Sequence, residues 1–197
     1  METIDMLVAA LGLGALAGIN LYLTVFVLSL SLRMDWLSLG AEYASLEILA
    51  HPAFFYTSLV LMVVEFFADK IPWLDSIWDV VHTFIRPLGA AFLGFTLVGD
   101  LDPFWVIIAV LVSGGAGLTG HTTKASGRLL LNTSPEPVSN SVASLAEDGF
   151  VLGGLGLWLL SPWLGLGLVL LAMTVLFLLG YGILRRFRRK RAEASSG

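Results

Sequence analysis

From Ala116 to Asp148 the chain reads AGLTGHTTKASGR and then LLLNTSPEPVSNSVASLAED. That stretch sets His121, Lys124 and Arg128, then Asn132 and Glu136, then Glu147 and Asp148, into a chain that is otherwise overwhelmingly apolar. Ionisable groups are costly near lipid, so their concentration marks a candidate site. His121, Lys124 and Arg128 stand at i, i+3 and i+7, and a helix there projects all three from one face. Such a face suits an anionic solute or a lipid phosphate. Asn20 and Thr119 are the neutral hydrogen-bonding candidates beside it, and Glu65, Asp69, Glu147 and Asp148 are the counter-charges or proton carriers. Glu65 and Asp69 share a helical face at i, i+4, with Glu65 the closer to the apolar interior. The same acids and bases could equally close on themselves as a salt-bridge network that holds no ligand.

A second set lies in IPWLDSIWDVVHTFIRP, where Asp75, Asp79, His82 and Arg86 recur at i, i+4, i+7 and i+11. Leu74, Ile77, Trp78, Val81 and Ile85 fill much of the opposite side, so the spacing predicts an amphipathic helix. With Trp73 and Trp78 near its start, residues 73–86 are expected to lie along the membrane surface. A connector whose charges are merely solvated is the plainer alternative to an Asp–His pair that does chemistry.

The elements that must position these groups follow from composition. The 197 residues are 57% hydrophobic and only 13% charged, with a mean hydropathy of +0.87. A soluble domain is not built this way. The expected fold class is all-α, a polytopic transmembrane bundle of about six spans of roughly 20 residues each. There is no cysteine, so disulfides and thiolate metal sites are excluded. Leu7 to Leu32 reads as one uncleaved span, preceded by the acids Glu2 and Asp5 rather than by a basic leader. Ala53 to Ala68 is the second and Pro87 to Val98 a short third. After the GDLDP turn, with Asp102 as N-cap and Pro103 as first helical residue, a fourth runs from Phe104 to about Thr119. Two more, separated at Ser161, reach Leu184.

Six of the eleven basic residues, Arg185, Arg186, Arg188, Arg189, Lys190 and Arg191, close the chain. The positive-inside rule places them in the cytoplasm, with the Lys70/Arg86 and Lys124/Arg128 regions on the same side and the acidic Asp35–Glu47 and Asp100/Asp102 loops outside. Six spans then put both termini in the cytoplasm. The tail could also contact anionic lipid.

Ala17-Gly18-Ile19-Asn20 with Thr24 lines up with Ala116-Gly117-Leu118-Thr119 with Thr123. Three spans per copy would make the halves enter the membrane in opposite senses, an inverted 3+3 repeat. The divisions are 1–99, which includes the interfacial helix 73–86, then 100–184, then the tail 185–197. Gly114, Gly115, Gly117, Gly120 and Gly127, followed by Pro135 and Pro137, predict a broken or re-entrant helix in the second copy.

EFFADKIPWLDSIWDVVHTFIRP, HTTKASGR, NTSPEPVSN and SLAEDG together resemble a group of bacterial membrane proteins, domain of unknown function 4126. The likeness runs from AGINLY to the helix after Glu147. It implies a compact multi-span protein and assigns no activity to it.

No HExxH, GxSxG or GxxxxGK[ST] is present, and His82 and His121 lack diagnostic metal-ligand spacing. No metal, cofactor or catalytic residue is expected, and nucleic-acid binding has only the terminal basic run behind it. The leading expectation is a small inner-membrane transporter or channel, with the bilayer and a small anionic or ion-coupled solute as partners. A chain this small could need a second copy to complete its pathway. The alternatives are a lipid headgroup-binding scramblase or lipid-modifying enzyme, and a scaffold that transports nothing.

Overall fold

The computed structural model describes residues 3–36, 41–99, 101–132 and 137–195, and all regular structure among them is helical. The helices are α1 (Thr3–Ile19), α2 (Leu21–Arg33), a 3₁₀ helix (Ala41–Ala50), α3 (Pro52–Ala68), α4 (Pro72–Val98), α5 (Pro103–Asn132), α6 (Pro137–Leu160) and α7 (Pro162–Ser195). Trp73–Val98, Pro103–Arg128 and Val138–Leu160 are long and apolar enough to cross a membrane. The 3₁₀ helix and α3, bent by 70° at His51, give a fourth if counted together. Thr3–Ile19, Leu21–Arg33 and Pro162–Leu178 are shorter apolar helices. Outward faces are apolar, with Phe84, Leu88, Leu111 and Phe177 exposed, while Glu65, Arg86 and Arg128 are buried.

α1, α4 and α5 form the centre, and small residues let them approach. A Cβ on Gly14 would lie 2.6 Å from the Ser113 carbonyl oxygen, and one on Gly120 would lie 2.6 Å from that of Ala15. Gly18 rests against Gly117, and Gly117 against Ala90. Positions on α1 and α5 rise together through these contacts, so the two helices run in the same direction. α4 and α5 form an antiparallel hairpin, whose turn is fixed by Asp102 Oδ1 accepting from the Phe104 N–H at 2.9 Å.

The span expected from Leu7 to Leu32 is broken at Asn20. Its backbone is extended, φ −145° and ψ 98°, and its side chain caps α2 by accepting from Leu23 N–H. The chain also turns back there. Along α1, the Ala9 carbonyl accepts from Trp158 Nε1 at 3.0 Å, and Asn20 reaches Asp148. By Tyr43 the chain is beside Trp158 again, the rings 5.7 Å apart. α1 and α2 therefore make a hairpin whose tip is Asn20.

Three further expectations change. The break foreseen between Gly114 and Gly127 does not occur, because α5 is continuous; Gly114, Gly117 and Gly120 seat α1 and α4 instead, and that packing outweighs their poor helix propensity. Pro135 and Glu136 lie outside the described residues. The segment at 73–86 does not end as a separate surface helix: it runs on through Pro87 to Val98, and its polar face is buried against the protein. The inverted relation between the two AG motifs does not fit helices that run in one direction. The basic run from Arg185 continues α7 as helix.

Candidate functional site

Each polar residue of the core is delivered by a distinct local cause. Asn20 sits at the helix break, where the last carbonyls of α1 and the first N–H groups of α2 must find partners outside the regular helical pattern. Glu65 and Asp69 close α3, Asp69 as its C-cap. Asp79, His82, Thr83 and Arg86 line the inward face of α4, and His121, Lys124 and Arg128 the facing side of α5. The predicted i, i+3, i+7 face is thus in place, and all three side chains are buried.

Arg86 is the centre of one half. Its Nη2 is ion-paired with Glu65 Oε1, and its Nη1 lies 3.0 Å from His121 Nδ1, 3.4 Å from the Gly18 carbonyl oxygen and 3.9 Å from Asp79 Oδ1. A guanidinium only donates, so His121 accepts at Nδ1 and carries its proton on Nε2. That Nε2–H donates to Thr83 Oγ1 at 3.0 Å, and Thr83 donates onward to the Asp79 carbonyl at 3.0 Å. His82 is the opposite tautomer: its Nδ1–H donates to the Trp78 carbonyl at 2.7 Å, and its Nε2 accepts from the Tyr22 hydroxyl at 2.9 Å.

Lys124 and Arg128 organise the other half. Lys124 Nζ is 2.8 Å from Asp69 Oδ2 and 3.5 Å from both Glu65 Oε1 and Glu147 Oε2. Arg128 forks onto Glu147, Nε to Oε1 at 3.0 Å and Nη2 to Oε2 at 2.7 Å. Its Nη1 also donates to the Asp69 and Asn140 carbonyls, each at 3.1 Å. Asn20 Nδ2 donates to Asp148 Oδ1 at 2.9 Å. Asp75 is buried within electrostatic reach of Arg128.

A protein-family model described as a domain of unknown function (DUF4126) matches residues 7–181. The chain belongs to the DUF4126 family. No curated protein and no solved structure matches it. The DUF4126 match spans every residue of the network, so the cluster lies wholly within the family's region.

Placed against expectation, the DUF4126 chain merges the two predicted sets into one: Asp79 and Arg86 join Glu65, Asp69, His121, Lys124, Arg128 and Glu147, and Asn20 pairs with Asp148. Thr119 stays out. It is exposed, and its hydroxyl donates to the Gly115 carbonyl of its own helix at 2.8 Å. Lys70 is peripheral, with Nζ 3.1 Å from the Phe66 ring centroid; partial burial lowers its pKa against the upward pull of Asp148 and Asp69. Sequence reading missed Tyr22 and Thr83. The available signal was spacing: Thr83 follows Asp79 by one helical turn and shares its polar face.

The network buries four carboxylates, Glu65, Asp69, Asp75 and Asp79, with Arg86, Lys124 and Arg128, and at its edge the half-buried Glu147 and Asp148 lie with Lys70 in electrostatic reach of Asp148. Among the described residues, Glu65 Oε2, Asp69 Oδ1 and Asp79 Oδ1 accept no hydrogen bond, and Arg86 Nε donates none. Buried acceptors without donors call for a proton, a water or a cation. No group of three or more His, Asp or Glu suited to a metal occurs among the described residues. Cavities reach the cluster from several sides: one of about 300 Å³ at Asp79, Thr83, His121 and Arg128, one of about 340 Å³ at Lys124 and Glu147, and one of about 370 Å³ at Asn20 and Asp148.

Proposed function

We propose that this chain is a small multi-pass transporter or channel of a bacterial inner membrane whose coupling ion or cargo is a cation, the proton in the simplest case. The observation that carries the reading is the excess of buried carboxylates, Glu65, Asp69, Asp75 and Asp79, over the buried cations Arg86, Lys124 and Arg128, together with the oxygens Glu65 Oε2, Asp69 Oδ1 and Asp79 Oδ1 that accept no hydrogen bond. Buried acids in excess of buried cations favour an added positive charge among them. The same bookkeeping turns the reading away from the anionic solute first expected, because Arg86, Lys124 and Arg128 are each already paired within the protein. The α1–α2 hairpin supports it too: a helix break aimed at a polar cluster is how discontinuous helices build ion sites.

In this reading the hairpin is re-entrant and does not cross. Asp5 Oδ1 accepts from Trp163 Nε1 at 2.9 Å, which sets the start of α1 beside the start of α7. With the basic tail cytoplasmic, the amino terminus is then outside, in place of the shared cytoplasmic side first expected. Residues 1–99 and 100–184 act as one unit around the cluster instead of as inverted halves.

The test is proton flux into liposomes that hold the purified protein and an entrapped pH-sensitive dye, driven by an imposed potential. The wild type acidifies the lumen above the empty-liposome rate, and Glu65→Gln and Asp79→Asn, checked for intact folding by gel filtration, do not. A wild-type rate equal to that of empty liposomes overturns the reading. A second reading, a scaffold that transports nothing, draws on the pairing of every network cation with an acid. It predicts no wild-type flux, and loss of folding in both variants.

A further inference from the structure

We infer that the cavity between α5, α6 and α7 takes an amphiphilic organic cation, a lipophilic amine or quaternary ammonium, as the solute of the transporter proposed above, and so the inference rests on that reading. The walls are apolar, formed by Ile19, Phe150, Val169, Ala172, Met173 and Leu176, and the volume is about 340 Å³. That is the low end for a small-molecule pocket and suits one alkyl chain with a compact head.

The floor decides the sign of the head. Lys124 and Glu147 both border the cavity, but the Lys124 side chain is 1% exposed and the Glu147 side chain 22%. Lys124 Nζ lies nearest Asp69 Oδ2, 2.8 Å away, and 3.5 Å from Glu147 Oε2. An entering head group therefore meets carboxylate first. Arg128 holds that carboxylate by a two-point fork, so it is oriented before the ligand arrives. Apolar walls disfavour a hydrated inorganic cation, which would lose its water shell without replacement.

The experiment is binding of decyltrimethylammonium to the full chain in nanodiscs, with decyl sulfate as the anion of equal tail. The cation binds at least about tenfold more tightly than the anion, and Glu147→Gln loses that preference by a similar factor. Ala172→Trp fills the cavity without touching the ionic network and abolishes binding of both; it serves where Glu147→Gln unfolds the protein. Equal affinity for the two amphiphiles, or binding unchanged by Ala172→Trp, overturns the inference. Proton flux with no binding of decyltrimethylammonium sinks the inference alone, and binding without any proton flux upholds the site while sinking the transport reading.

Discussion

Arg86 shows what a buried charge demands of its neighbours. It stands near the middle of α4, fully buried, with its guanidinium shared among Glu65, His121 and the Gly18 carbonyl. Removing one member of such a pair leaves the other uncompensated and costs about 3–5 kcal/mol, whereas replacing both by apolar residues of similar size is often close to neutral. Unfolding in detergent micelles is therefore expected to show Glu65→Leu and Arg86→Met each destabilising by about 3 kcal/mol, and the double variant losing far less than the sum of the singles. Additive losses would mean that the two residues are not coupled. The face of His121, Lys124 and Arg128 was legible from spacing alone, because helical periodicity is local. Their partners were not, since Glu65 and Asp69 reach α5 from more than fifty positions away. Thr119 misled for the opposite reason: it matches Asn20 in sequence, but it sits inside an unbroken helix, where a threonine hydroxyl turns to the carbonyl one turn earlier, here that of Gly115.

At the level of elements, the glycines of α5 are the instructive case. Their number reads as a helix-breaking signal, yet α5 is whole, and what the sequence could not reveal was that α1 and α4 press against it. Two glycines of that helix make the point testable. A Cβ on Gly115 meets nothing within 4 Å, while one on Gly120 lies 2.6 Å from the Ala15 carbonyl oxygen and 3.3 Å from Gly18 Cα, both backbone atoms that cannot swing aside. Gly115→Ala is expected to raise stability by up to about 1 kcal/mol through helix propensity alone, and Gly120→Ala to lower it by about 1–3 kcal/mol through overpacking. Thermal unfolding of the two variants side by side checks the pair; equal effects would contradict the close seating of α1. The amphipathic pattern at 73–86 was likewise read correctly as a face and wrongly as a surface, because periodicity reports which residues share a side and not what covers it. Asn20 carried a legible clue, since asparagine is a leading N-cap residue, but in an apolar run a packing role is as natural.

For the whole molecule, composition disclosed the all-helical class, and the path of the chain did not follow from it. Counting apolar runs treats each as a crossing, and a hairpin such as α1–α2 is invisible to that count because both arms are apolar. The proposed topology predicts that an alkaline phosphatase fused before α1 is active in intact cells and that a fluorescent protein fused after α7 matures; a silent amino-terminal phosphatase would return the hairpin to a single span. The ion pairs also impose an order on biosynthesis. Glu65 is made before Arg86, and Asp69 before Lys124 and Arg128, so each cation leaves the ribosome after an acid that can receive it. α3 waiting beside the translocation channel would let α4 pass into lipid with its charge already matched, and α5 would join the same way. A nascent chain stopped after α4 should thus resist alkaline extraction from membranes, and the same chain bearing Glu65→Leu should be released.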